Sequence, residues 1–190
     1  VIQKVNKKYI FFDRDGTLNV DPGYISSVEN FFLYDDVLES LSLLSKKQFH
    51  FILTTNQSGI SRGLLNIEEL NKIHQKLDEL LLKKNIKFKD KFFCPHLPLH
   101  NCKCRKPEKG MFLEAAKKYN IDLKQSVVIG DSDIDIIVAK KIGALSILVK
   151  TGKGILSIKK LEKQNIRPDF IGKNLLDCAL FLIKGMKSWK

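Results

Sequence analysis

Lys8-Tyr9-Ile10-Phe11-Phe12-Asp13-Arg14-Asp15-Gly16-Thr17-Leu18 changes character in a single step, from an apolar run to a charged turn. The apolar run suits a buried strand, and the turn reads as its exit. Two further stretches repeat the pattern: 49–54 (FHFILT) runs into Thr55, and 126–129 (SVVI) closes on Gly130-Asp131. Helical spacing fills the intervals. Residues 35–47 carry Val37, Leu38, Leu41 and Leu44 after an acidic start, and 67–84 repeat Leu70, Ile73, Leu77, Leu80 and Leu81. Helices are also expected at 110–119, 134–142 and 175–186, with strands at 144–149 and, on the edge, 168–171. Phe92-Phe93 leads into a loop of Cys, His and Pro. Alternating strands and helices predict an α/β fold, a doubly wound (Rossmann-like) parallel sheet with helices on both faces. Ligands of such sheets bind beyond the carboxyl ends of the strands, where Asp13, Thr55 and Asp131 all fall.

The bulk numbers narrow the class. At 190 residues, with 44% hydrophobic and 28% charged residues, the chain suits one globular domain over 1–190 with a proper core. No apolar run approaches the roughly 18–20 residues that span a bilayer. Residues 1–8 are too polar and short for a secretory signal, so the cytoplasm is the expected location. The net charge is +12, but residues 150–190 alone contribute +7 of it. With no nucleic-acid motif beside it, that excess reads as a solvated C-terminal surface away from the motifs, and no nucleic-acid partner is expected.

Asp13 and Asp15 place two carboxylates two residues apart at a strand exit. One can attack phosphorus while the other moves protons, so that a hard hydrolysis becomes two easier steps through an acyl-phosphate. Bringing a phosphate dianion to a carboxylate calls for a cation, hence Mg²⁺. Thr55 would donate to the phosphoryl oxygens, Lys106 would supply positive charge, and Asp131 would be a further metal carboxylate. A lone D-x-D pair is often only a turn and helix cap. With Thr55, Lys106 and Asp131 at separate strand ends, the catalytic reading is favoured.

Cys94-x-His96-x5-Cys102-x-Cys104 gathers three thiols and an imidazole into eleven residues, a tetrahedral Zn²⁺ set. Reduced buried thiols or a disulfide are the alternatives, and disulfides are uncommon in the cytosol. The loop runs straight into Arg105-Lys106, so zinc would fix the backbone presenting both side chains. Cys178 reads as packing, and His50, His74 and His100 as histidines without a role at the site.

With DRDGTL, TTN, Lys106 and GDSDID in order between Tyr9 and about Gly152, the chain resembles the haloacid dehalogenase-like phosphatase superfamily. The resemblance implies Asp13 as nucleophile, Asp15 as general acid/base, and Mg²⁺ on Asp13, Asp131 and the Asp15 backbone carbonyl. CPHLP and CKCRKP resemble the branch of small, minimally capped phosphatases acting on heptose bisphosphates or histidinol phosphate. The wording at 19–24 and 55–63 is similar to the heptose members; the short zinc loop is similar to the histidinol-phosphate members. Position 132 is Ser, where many heptose enzymes carry Lys. Carried over by motif, Asp21, Pro22, Gly23, Tyr24, Thr55, Asn56, Gln57 and Ser58 contact substrate and Arg105 assists. Arg62 is expected to bind a second phosphate. The expected partner is a small phosphorylated substrate, and the expected state a monomer. A polynucleotide 3′-phosphatase, a receiver-like domain and a zinc-stabilised binding module are the rival classes.

Overall fold

The computed structural model describes residues 8–185. Six strands form a single sheet: β1 (Lys8–Phe12), β2 (Phe49–Asn56), β3 (Phe88–Cys94), β4 (Val127–Gly130), β5 (Leu145–Val149) and β6 (Phe170–Gly172). Every pairing is parallel, in the order β3-β2-β1-β4-β5-β6. Both faces are covered, which is why the central strands read as unbroken apolar runs rather than alternating ones. Helices α1 (Val37–Lys46), α2 (Ile67–Leu82) and α6 (Leu175–Gly185) bury Leu41, Leu44, Leu70, Leu77 and Leu182 with Ile10, Phe12, Phe51 and Leu53 on one face. On the other face, α3 (Gly110–Tyr119) and α4 (Asp133–Ile142) bury Phe112, Ala115 and Val138 with Phe11, Ile52 and Val128. A smaller cluster of Ile136, Leu148 and Leu161 seats α5 (Gly154–Lys163).

Local sequence fixes the element ends. Asn66 Oδ1 accepts from the Glu69 N–H at 2.9 Å while Glu69 Oε2 accepts from the Asn66 N–H at 2.6 Å, a reciprocal cap that starts α2. Gly143, at φ 72°, ends α4 in the left-handed conformation that glycine adopts most cheaply.

Two elements go beyond the sequence reading. Phe88–Cys94 is a full strand, hidden from the sequence reading because Lys89, Asp90 and Lys91 interrupt its apolar pattern at an edge position. Residues 154–163 form α5, whose exposed Ile155 and Leu156 blur its amphipathic pattern. The expected last helix reaches Met186, which lies outside the described residues, as do 1–7. Among the described residues no helix is long and apolar enough to cross a membrane.

The consequence for function lies between β1 and β4. From β1 the chain winds outward to β2 and β3; from β4 it winds the opposite way to β5 and β6. Loops leaving the two central strands therefore part, and a crevice opens at their carboxyl ends.

Candidate active site

A cleft of about 310 Å³ lies in that crevice. Asp13, Asp15, Thr55, Asn56, Gln57, Ser58, Arg105, Lys106 and Asp131 line it, together with Asp21, Gly23 and Tyr24. Pro22 and Arg62 do not reach its wall. The turn after β2, closed by the Arg62 N–H on Ser58 O at 3.2 Å, sets the Arg62 guanidinium 5.9 Å over the Tyr24 ring at the rim.

Lys106 holds the centre together. Its Nζ donates to Asp13 Oδ1 at 2.8 Å and Thr54 O at 2.7 Å, and forms an ion pair with Asp135 Oδ1 at 2.6 Å. Burial alone would lower its pKa, yet Asp13 and Asp135 raise it above the ordinary lysine value. The Lys106 backbone is pinned as well: its N–H donates to Asn56 Oδ1 at 3.0 Å, and Asn56 Nδ2 donates to Lys106 O at 3.1 Å. Asn56 thereby ties the end of β2 to the loop carrying Lys106.

Asp13, Asp131 and Asp135 bring carboxylate oxygens within 4.8 Å of one another. One lysine does not neutralise three acids. Burial first, then the neighbouring carboxylates, pushes Asp131 up to about 8. Asp13 is pushed up to about 7, chiefly by burial, against the lowering pull of Lys106. Such a set fits a divalent cation, which would supply the missing charge. Asp135 Oδ2 accepts the Ser132 N–H at 3.1 Å and its Oδ1 is held by Lys106, so Asp13 and Asp131 keep the freer oxygens. Asp135 is a site residue the sequence reading passed over, although it stands in the quoted GDSDID run.

A pH dependence follows. Mg²⁺ must displace the protons that Asp13 and Asp131 retain up to about 7 and about 8. Apparent Mg²⁺ affinity should therefore rise with pH through that range, by up to about tenfold per unit for each proton displaced. Isothermal titration at several pH values checks it; a flat profile would rule out metal on these carboxylates.

Asp15 behaves differently. Burial pushes its carboxyl upward, but Arg14's charge and the hydrogen bonds from Arg14, Asn19 and Gln57 hold it below the usual carboxylate value. Gln57 Nε2 reaches both Asp15 Oδ2 at 2.7 Å and Thr55 Oγ1 at 2.8 Å, coupling the two strand ends.

Lys153 was also missed. The basic C-terminal excess is not all remote, because Lys153 lines the cleft and its Nζ lies 3.1 Å from Asp21 Oδ2. Its N–H donates to Asp131 Oδ2 at 2.7 Å. Gly152 and Gly16 make room for that carboxylate, since a Cβ on either would run into Asp131 Oδ2. The Thr-Gly-Lys-Gly run at 151–154 was the available signal.

Cys94, His96, Cys102 and Cys104 converge beside the cleft. Cys104 Sγ lies 3.2 Å from Cys94 Sγ, 3.4 Å from Cys102 Sγ and 3.3 Å from His96 Nδ1. Cys94 Sγ lies 3.5 Å from both Cys102 Sγ and His96 Nδ1, with no disulfide formed. A tetrahedron of this size has its centre roughly 2.1 Å from each corner, within Zn–N and Zn–S bonding range. The cluster could hold zinc. It is coupled to the site by two bonds: Arg105 NH1 donates to His96 O at 3.0 Å, and the Gln57 N–H donates to Cys94 O at 2.7 Å.

Comparisons with known proteins agree with this geometry. A HAD-hydrolase-like family model matches residues 103–178. The D-glycero-beta-D-manno-heptose-1,7-bisphosphate 7-phosphatase of Pasteurella multocida is 36% identical over 191 residues, covering 96% of this chain and 100% of that protein. The enzyme of the same name from Escherichia coli K12 is 37% identical over 77% of this chain and 81% of its own length. Among solved structures, D,D-heptose 1,7-bisphosphate phosphatase from B. bronchiseptica, complexed with magnesium and phosphate, superimposes with a TM-score of 0.86 at 32% identity. That match covers 93% of this chain and 98% of the other.

Proposed function

The chain belongs to the HAD-like hydrolases, and from that premise we propose that it removes the 7-phosphate of D-glycero-β-D-manno-heptose 1,7-bisphosphate. It is a phosphatase that hydrolyses a phosphate monoester. The observation that carries the chemistry is the pairing, in one cleft, of a lysine-bound carboxylate on Asp13 with a second carboxylate on Asp15. The substrate follows from relatives of that name that match nearly the whole chain. We further propose a single domain over 1–190, acting as a cytoplasmic monomer without nucleic acid. The acidic cleft, with Asp13, Asp15, Asp21, Asp131 and Asp135 on its wall, suits a cation-borne small phosphate better than a polynucleotide.

The chemistry runs in two halves. Asp13 Oδ2, the oxygen Lys106 leaves free, attacks phosphorus; the P–O bond to the sugar breaks, and Asp15 gives the departing alkoxide its proton. Water then attacks the aspartyl-phosphate, Asp15 takes its proton, and Asp13 is released with inorganic phosphate. Lys106 and the Thr55 hydroxyl face the charge that builds on the phosphoryl oxygens. A divalent cation on Asp13 and Asp131 would screen the phosphate's charge from the carboxylate that attacks it. Asp15 rests ionised, ready for the second half, so a proton must reach it as the dianionic ester binds and raises its pKa.

Asp15→Asn keeps the shape and cannot exchange the proton, so turnover should fall by about 10²–10⁴-fold. The experiment on substrate is phosphate release, with Mg²⁺ and with EDTA, from heptose 1,7-bisphosphate and histidinol phosphate side by side. The bisphosphate should be preferred by at least about 100-fold in kcat/KM. Preference for histidinol phosphate would overturn the substrate and leave the mechanism standing.

A further inference from the structure

Arg14 stands between the two aspartates and has no part in the steps above. It is the largest side chain with no exposed surface. Stability alone does not call for an arginine there, since replacing a buried ion pair with well-packed apolar residues is often neutral or stabilising. Its contacts point elsewhere. Nε donates to Asp15 Oδ1 at 2.9 Å and NH2 to Asp15 Oδ2 at 2.8 Å, a planar two-point fork. Asn19 Nδ2 on Oδ1 at 3.0 Å and Gln57 on Oδ2 complete a set of four donors, of which Arg14 alone is charged.

The far side of the guanidinium is equally telling. NH1 is buried and makes no hydrogen bond among the described residues, and the same holds for Nε2 of His74, a buried residue of α2 packed against Phe93. Burial, and then the charges of Arg14 and Lys91, hold the His74 ring down at about 3, so it is neutral. A neutral ring nitrogen accepts where a guanidinium only donates. The two nitrogens do not bond to each other, so it is the two-point fork on Asp15 that fixes the guanidinium.

We infer that Arg14 is a positioning residue that fixes the plane of the Asp15 carboxyl for proton transfer. This rests on the reading of Asp15 as the acid/base, for which Asp15→Asn serves as the reference variant.

The test exploits leaving groups. The phenolate of p-nitrophenyl phosphate departs without a proton, whereas the sugar alkoxide does not; both phosphoenzymes need Asp15 to activate water. In Arg14→Met, p-nitrophenolate should appear in a burst stoichiometric with enzyme at close to the wild-type rate. A steady rate lowered about 100-fold should follow, and bisphosphate turnover should fall about 100-fold without a burst and with KM within about threefold. Arg14→Lys, which lacks the fork, should resemble Arg14→Met rather than wild type. Burst and bisphosphate rates slowed alike, or neither slowed, would overturn the role of Arg14. If Arg14→Met does not fold, Arg14→Lys, which keeps a buried positive charge beside Asp15, decides. Were Asp15→Asn to keep wild-type bisphosphate turnover, the functional reading would fail instead, a separate result.

Discussion

Asp13→Asn leaves a folded protein whose turnover has fallen by at least about 10⁴-fold, the scale on which removal of a covalent nucleophile registers. The fold survives because Lys106 keeps Asp135 Oδ1 and Thr54 O as partners. Removing one acid from a cluster of three also relieves the repulsion and desolvation that push Asp131 and Asp13 upward. A carboxyl that rises from 3.8 when unfolded to about 7 when folded destabilises the protein increasingly as pH climbs between those values. Metal-free Asp13→Asn should therefore melt at or above wild type at pH 8, and the two should converge at pH near 4. Rapid quench with radiolabelled substrate gives the second readout: phosphoenzyme in wild type and Asp15→Asn, none in Asp13→Asn. A labelled Asp13→Asn protein, or one retaining more than about 1% of turnover, would place the nucleophile elsewhere.

The second large effect belongs to the cysteine loop. Cys102→Ser should lose zinc, disorder the segment from His96 to Arg105, and cut turnover by about 100-fold with the Mg²⁺ carboxylates untouched. Isolated zinc-finger peptides gain roughly 10–16 kcal/mol from their metal; the loss here should be several kcal/mol, because part of the loop is anchored without it. Cys94 is fixed as the last residue of β3, and the chain after the loop is held by the Gly110 N–H on Lys103 O at 2.9 Å. Between those anchors little apolar burial supports the chain, since Leu97 and Pro98 are not buried and Leu99 is 73% exposed. Metal analysis, limited proteolysis at 96–105 and turnover check the three parts together. Full Mg²⁺-dependent turnover in zinc-free protein would show that Arg105 and Lys106 need no such support.

Much of this was legible in the chain, for a reason that also explains the omissions. Buried parallel strands are written as short apolar runs, and their polar exits stand out, so Asp13, Thr55 and Asp131 were found together with the fold. Four metal-type side chains in eleven residues could be read without structure. What escaped were residues whose role depends on distance across the fold. Asp135 lies one helical turn beyond Asp131 and becomes part of the cluster only because α4 starts at the end of β4. Lys153 looks like surface charge until the turn after β5 brings its N–H to Asp131. His74 sits on α2 as one more polar residue of an amphipathic helix, and only the fold shows it buried beside Phe93. Arg62 is placed by the turn after β2 over Tyr24 at the cleft rim rather than on its wall, a position the sequence alone did not give.

The strand order carries a cost during synthesis. β1 lies at the middle of the sheet, pairing with β2 on one side and β4 on the other, with Phe12 opposite Ile129. Its β4 partner begins at Val127, 115 residues after Phe12. At ribosomal rates of about 5–20 residues per second, roughly 6 to 23 s pass between making the two. Throughout that interval one edge of the buried strand β1 stands unpaired, and Asp13 at its exit has no Asp131 to face. The nascent chain is thus an aggregation hazard before it is an enzyme, and slow translation through residues 95–126 would lengthen the first state at the expense of the second.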